Sequence, residues 1–213
     1  MSNSKFLLIY ARVVAAVSLL LLAFLIVKDY SSLEMPTTLP FAVSLFVSLL
    51  SIILFASFCV KFSVDSNIRP AGFTLLLAFV LEFLTAALSC MPAAKSSYII
   101  IALVEISPIV GFILLVLGLF GIASKGSESR RFQIASRCFA GAKLLYALVV
   151  VGGGIIVAMS AMNGTDVDNI KELLLKLGIV FGHIIPTVAA CWFYWELGKW
   201  IAVRWEIHKI EYT

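Results

Sequence analysis

Residues 124–137, SKGSESRRFQIASR, form the longest clearly polar break after the N-terminal third of this chain. They carry Lys125, Arg130, Arg131 and Arg137, and apolar sequence flanks them on both sides. If the flanking runs cross a membrane, the side taken by this connector fixes the side of every other connector, because successive spans alternate in direction.

Composition supports the membrane premise. The chain has 213 residues, of which 62% are hydrophobic and 13% charged, with a mean hydropathy of +1.09. Soluble chains are about 45–50% apolar and about 25% charged. Several apolar runs exceed the roughly 18 residues that mark a bilayer-crossing helix. They are continuous in Leu, Ile, Val, Phe and Ala, without period-two alternation, so a helix bundle is expected and a β-barrel is not. The N-terminal run is too long for a signal-peptide core and lacks a small-x-small cleavage site, so it reads as a retained first span.

Six spans are the simplest parse: residues 6–27, 41–60, 71–90, 98–123, 138–162 and 173–197 of a single transmembrane domain. Basic residues near span ends decide the orientation. One alternating set of segments holds eleven: Lys5, Arg12, Lys61, Arg69, Lys125, Arg130, Arg131, Arg137, Lys199, Arg204 and Lys209. The other set holds four: Lys28, Lys95, Lys171 and Lys176. Both termini and the 124–137 connector are therefore expected on the cytoplasmic side of the cell membrane. All four tryptophans, Trp192, Trp195, Trp200 and Trp205, follow one another near the end of the chain. Trp200, Val203, Ile207 and Ile210 recur at helical spacing, which predicts an amphipathic surface helix over 198–213. The expected fold is thus an all-α, multi-pass integral membrane bundle of six transmembrane helices plus a C-terminal interfacial helix.

Ionisable residues inside spans are costly in lipid and turn toward protein or water. Glu82, Glu105, Lys176 and His183 form the candidate intramembrane polar site. By depth, Glu105 and Lys176 fall in the outer third and Glu82 and His183 near the midplane, while Arg12, Lys143 and Glu196 lie toward the cytoplasmic side. Glu82, Thr85 and Ser89 share one stripe. Lys176 and His183 lie seven apart, on one helix face. Arg12 and Lys143 are close enough to the interface to snorkel. Pro108 and Pro186 each remove a helical hydrogen bond beside an ionisable residue, next to Glu105 and His183.

Small residues mark helix-packing faces. Gly178 and Gly182 form a GxxxG motif, Gly111, Gly118 and Gly121 line span four, and Ser44, Ser48 and Ser51 line one face of span two. Gly152, Gly153 and Gly154 interrupt span five. The cysteines, Cys59, Cys90, Cys138 and Cys191, form no C-x-x-C pair and read as buried thiols. Asn163-Gly164-Thr165 matches a glycosylation acceptor. Nucleotide-binding, zinc-protease and nucleophile-elbow motifs are absent, and the two histidines, His183 and His208, are far apart. No cofactor, metal site or nucleic-acid partner is indicated.

Three functions fit. The first is a non-enzymatic membrane subunit or scaffold that acts by association, as a homo- or hetero-oligomer through small-residue helix faces. The second is a small-solute transporter or substrate-binding membrane subunit. Its size and six-span layout are similar to those of the substrate-binding subunits of energy-coupling-factor vitamin importers. Ala11-Arg12-Val13-Val14-Ala15 has the small-x-x-x-small form of their first span, with Arg12 a departure from it. The third, an intramembrane enzyme using Glu82 and His183, lacks a recognisable signature.

Overall fold

The computed structural model describes residues 3–30, 38–63, 65, 68–89, 98–126, 129–162, 177 and 180–211. They form helices α1 (Asn3–Tyr30), α2 (Thr38–Lys61), α3 (Arg69–Ser89), α4 (Tyr98–Lys125), α5 (Arg130–Met162) and α6 (Ile185–Glu211). A π-helical turn, Val180–Ile184, leads into α6 immediately before Pro186. A proline cannot donate to the preceding turn, and wide turns of this kind absorb the missing bond. Pro108 lies inside α4, which continues through it.

Each helix packs against its successor, and α6 returns to pack along α1, closing a ring of six. Among the described residues, four helices contain segments long and apolar enough to cross a membrane: Lys5–Ala23, Arg69–Leu88, Ile101–Lys125 and Arg130–Ser160. The described apolar part of α2, Leu45–Lys61, is shorter. The α1 start, the α2–α3 and α4–α5 connections and the α6 end lie together. This follows from Phe6 and Leu7 lining one cavity with Lys61 and Trp205, Lys61 on Trp205, Asp65 on Arg204, and Phe132 on Trp200. The segments rich in Lys and Arg therefore share one end of the bundle, called the basic end below.

Two boundaries differ from the sequence expectation. The polar connector is much shorter than 124–137, because α5 begins at Arg130. Phe132, Ala135 and Ser136 are fully buried there, so one face of this charged stretch is core while Arg130, Arg131 and Arg137 point outward. Charge density concealed a helix whose buried positions recur at i, i+3 and i+4. At the other end of the chain, no break separates a surface helix from span six. Helix α6 is continuous through Glu211, with Trp200 and Ile201 buried in the core. The glycine triplet also fails to interrupt α5, which runs unbroken to Met162.

The core at the basic end is aromatic. Trp200 lies parallel to Phe132, with ring centroids 4.7 Å apart and planes 6° apart. Phe58 and Phe62 flank Trp200 at 6.1 and 6.4 Å. Phe55, Phe79, Phe139 and Phe193 continue the cluster one turn deeper. Large rings fill the wide centre of a six-helix ring with few rotatable bonds each. At the walls, close approach replaces bulk. A Cβ on Gly118 would stand 2.7 Å from Leu75 Cγ, one on Gly121 3.2 Å from Ala71 Cβ, and one on Gly111 3.4 Å from Leu81 Cβ. These three glycines carry the α3–α4 contact. Gly198 meets Ala11 in the same way, at 3.2 Å, between α6 and α1.

Candidate functional site: a polar layer over the aromatic core

Directly above the aromatic core, going away from the basic end, lies a polar layer. Its members sit beside core rings in the sequence. Ser51 precedes Phe55 by four residues, Glu82 follows Phe79 by three, Lys143 follows Phe139 by four, and Tyr194 adjoins Phe193. At about 1.5 Å of rise per residue, three or four residues is one helical turn. Four helices thus present polar groups at one level.

Two pairs form there. The Ser51 hydroxyl donates to the Val47 carbonyl at 2.9 Å, which leaves Tyr194 to donate to Ser51 at 2.7 Å. Both residues are buried. Glu82 Oε1 lies 3.8 Å from Lys143 Nζ, joining α3 to α5, with side chains 32% and 28% exposed. An ion pair at this depth neutralises two groups that would each be costly alone in lipid. One turn further, the Thr85 and Ser107 hydroxyls are 2.6 Å apart and link α3 to α4. Each hydroxyl is also within donating distance of its own helix, of the Leu81 and Leu103 carbonyls; with one proton apiece, one of the two donates across to the other helix while its neighbour donates to its own helix carbonyl.

Of the four candidates from the sequence, only Glu82 and Glu105 have described side chains, and these two do not meet. Glu82 belongs to the polar layer, and its neighbour is Lys143. Glu105 is exposed on the outer face of α4. Lys176 and Gly178 lie outside the described residues, as do the surroundings of Gly182, the side chains of His183 and Ser89, and the Asn163 acceptor. The structure therefore does not test whether Glu82 and His183, level with each other in sequence depth, meet. Sequence reasoning placed Ser51 only on a small-residue packing face of span two, with Ser44 and Ser48, and did not single out Tyr194 as a polar-site residue. Their only signal is a polar residue within a turn of a core aromatic, a pattern that needs the helix partners to be known.

The remaining charges hold the basic end together. Arg204 Nη2 lies 3.0 Å from Asp65 Oδ2, and Asp65 Oδ1 accepts from the Ile68 amide at 3.3 Å. Glu196 is buried and receives Lys199 at 2.7 Å. Arg12 stacks over Trp195 with its guanidinium carbon 5.0 Å from the ring centre, and Lys199 approaches the same ring at 5.7 Å. These cations meet rings and carboxylates of the bundle instead of extending singly toward the headgroups. Of the free cysteines, Cys191 is buried and donates to the Ala15 carbonyl, Cys59 is half-buried, and Cys138 is exposed. Among the described residues, no group of three or more His, Cys, Asp and Glu side chains converges as a metal site.

The fold and the polar layer define an all-α helix bundle with several helices suited to a membrane. Comparison with protein-family models, curated proteins and solved structures finds no match.

Proposed function

We propose that this chain is a six-span protein of the cell membrane, with both termini cytoplasmic, that acts by association as a non-enzymatic subunit or scaffold. The gathering of basic segments at one end supports that orientation. The observation that carries association is Glu105. Its carboxyl is exposed on α4 among exposed Leu103, Ile106 and Ile109, which are 52, 57 and 61% accessible. A charge facing hydrocarbon costs about 2.5–3.5 kcal/mol at mid-span, less toward the interface. A partner helix bearing a basic or hydrogen-bonding group removes that cost.

The reading as a solute carrier has less support. Glu105 faces away from Glu82's layer, and Glu82 is already engaged by Lys143. The small-x-x-x-small face in the first span is occupied inside the bundle, since Ala11 and Ala15 are buried against α6.

The test is Glu105→Leu. Removing a lipid-facing charge favours insertion, so the variant should reach the membrane at least as well as the wild type. Purified in mild detergent, the wild type should run as a complex larger than one chain, and the variant should lose that complex. A wild type that is monomeric in native-lipid discs, with the variant indistinguishable from it, rejects the proposal.

A further inference from the structure

The basic end contains a groove that neither the polar layer nor the α4 face uses. It is a cavity of about 590 Å³ between the start of α1, the end of α2 and the end of α6. Phe6, Leu7, Ala56 and Val60 make its apolar wall. Ser57, Lys61 and Trp205 make its polar portion. The wall opens to the bundle exterior, where Phe6 is 53% and Val60 77% exposed.

Lys61 gives the groove its chemistry. Its ammonium nitrogen is buried and has no hydrogen-bond partner among the described residues. It lies 4.1 Å from the centre of the Trp205 ring, and that contact supplies charge stabilisation but no acceptor. An ammonium has three donors to satisfy. A buried donor left unmatched costs on the order of a lost hydrogen bond. Among the described residues, the two buried acids are engaged elsewhere, Asp65 by Arg204 and Glu196 by Lys199.

We infer that this groove binds an anionic membrane phospholipid, with its phosphate on Lys61 and one acyl chain along Phe6, Leu7, Ala56 and Val60. The volume falls within the roughly 300–1,000 Å³ of small-molecule sites. An apolar wall open to the bilayer admits an alkyl chain without desolvating any polar group. A cation at the headgroup end selects negative charge, and basic pockets between membrane helices recognise lipid headgroups in this way. Trp205 places an indole at the same level, where such rings favour the interface. The lipid occupies a site between helices, distinct from diffuse attraction to the eleven basic residues at this end.

The test uses the purified full chain in detergent micelles doped with phosphatidylglycerol or with phosphatidylcholine of the same acyl chains. Bound lipid is quantified by native mass spectrometry, and thermal stabilisation is followed in parallel. Phosphatidylglycerol should be retained preferentially and should raise the unfolding temperature. Lys61→Gln should weaken that retention about tenfold, the size of one charge-assisted hydrogen bond. Lys61→Arg should preserve it. Ala56→Phe keeps the charge but fills the groove, and should abolish retention even if Lys61→Gln does not fold. Equal retention of the two lipids, or undiminished retention in a folded Lys61→Gln or Ala56→Phe protein, overturns the site. Displacement of the lipid by millimolar inorganic phosphate overturns the lipid assignment and leaves a soluble-anion site.

Discussion

Replacing Gly118 by alanine tests the close approach of α3 and α4 with a single methyl group. The added Cβ would stand 2.7 and 2.8 Å from Leu75 Cγ and Cδ2, and 3.1 Å from the Leu75 amide nitrogen. Leu75 is fully buried. Rotating its side chain relieves the first two contacts only by moving it into neighbours, and nothing relieves the third except a shift of α3 itself. Overpacking of this kind costs about 1–3 kcal/mol. Alanine also recovers about 1 kcal/mol of helix propensity relative to glycine. A cost in the upper part of the overpacking range then leaves a net loss of about 1–2 kcal/mol. The same substitution at Gly154, where nothing lies within 4 Å of the new Cβ, keeps the propensity gain alone. Gly111→Ala, at 3.4 Å from Leu81 Cβ, meets ordinary contact and should be near neutral or mildly stabilising. The assay is reversible unfolding in mixed micelles, read by far-ultraviolet dichroism. The expected order of stability is Gly154→Ala, then Gly111→Ala, then wild type, then Gly118→Ala. A Gly118→Ala protein as stable as Gly154→Ala would mean that α3 and α4 do not approach as described.

Two further substitutions probe the basic end. Trp200→Ala removes the ring stacked on Phe132 and flanked by Phe58 and Phe62, and should cost about 3–5 kcal/mol in the same unfolding assay; a loss below about 1 kcal/mol would place Trp200 at the lipid interface instead. Asp65→Ala should cost about 3 kcal/mol, because it removes the carboxylate from Arg204 and from an α3-leading amide, while the Asp65→Ala/Arg204→Met pair should lose less than the sum of its single changes; strict additivity would show that the two side chains do not interact.

The helical class was legible because it depends on run length and composition, which survive any tertiary arrangement. Helices α1 to α4 also end close to where the apolar runs end. The connector at 124–137 was misjudged for a physical reason. Arg130, Arg131 and Arg137 define its hydropathy, yet Phe132, Ala135, Ser136 and Phe139 form the buried face of the same segment. Mean hydropathy averages over both faces of a helix. Only the i, i+3, i+4, i+7 spacing of that face distinguishes a charged loop from the outer face of a helix end. Trp200 was misread in the complementary direction. Tryptophan in sequence at a span terminus suggests an interface, but here the wide centre of a six-helix ring needs a ring to fill it.

The polar site was less legible than the fold because depth along a helix is readable and azimuth is not. Sequence places Glu82, Lys143 and Glu105 at approximate heights, but each helix is free to turn its polar residue toward any neighbour until packing fixes it. Gly111 and Gly118 fix it for α4 by seating that helix on α3. Glu105 lies six residues from Gly111, where about 100° per residue carries it well away from the glycine line. The same small residues that draw α3 and α4 together therefore turn the α4 carboxyl outward, away from the Glu82–Lys143 layer. Packing and exposure of Glu105 are one geometrical fact, and a partner that meets Glu105 would read the outer face that the inner glycines create.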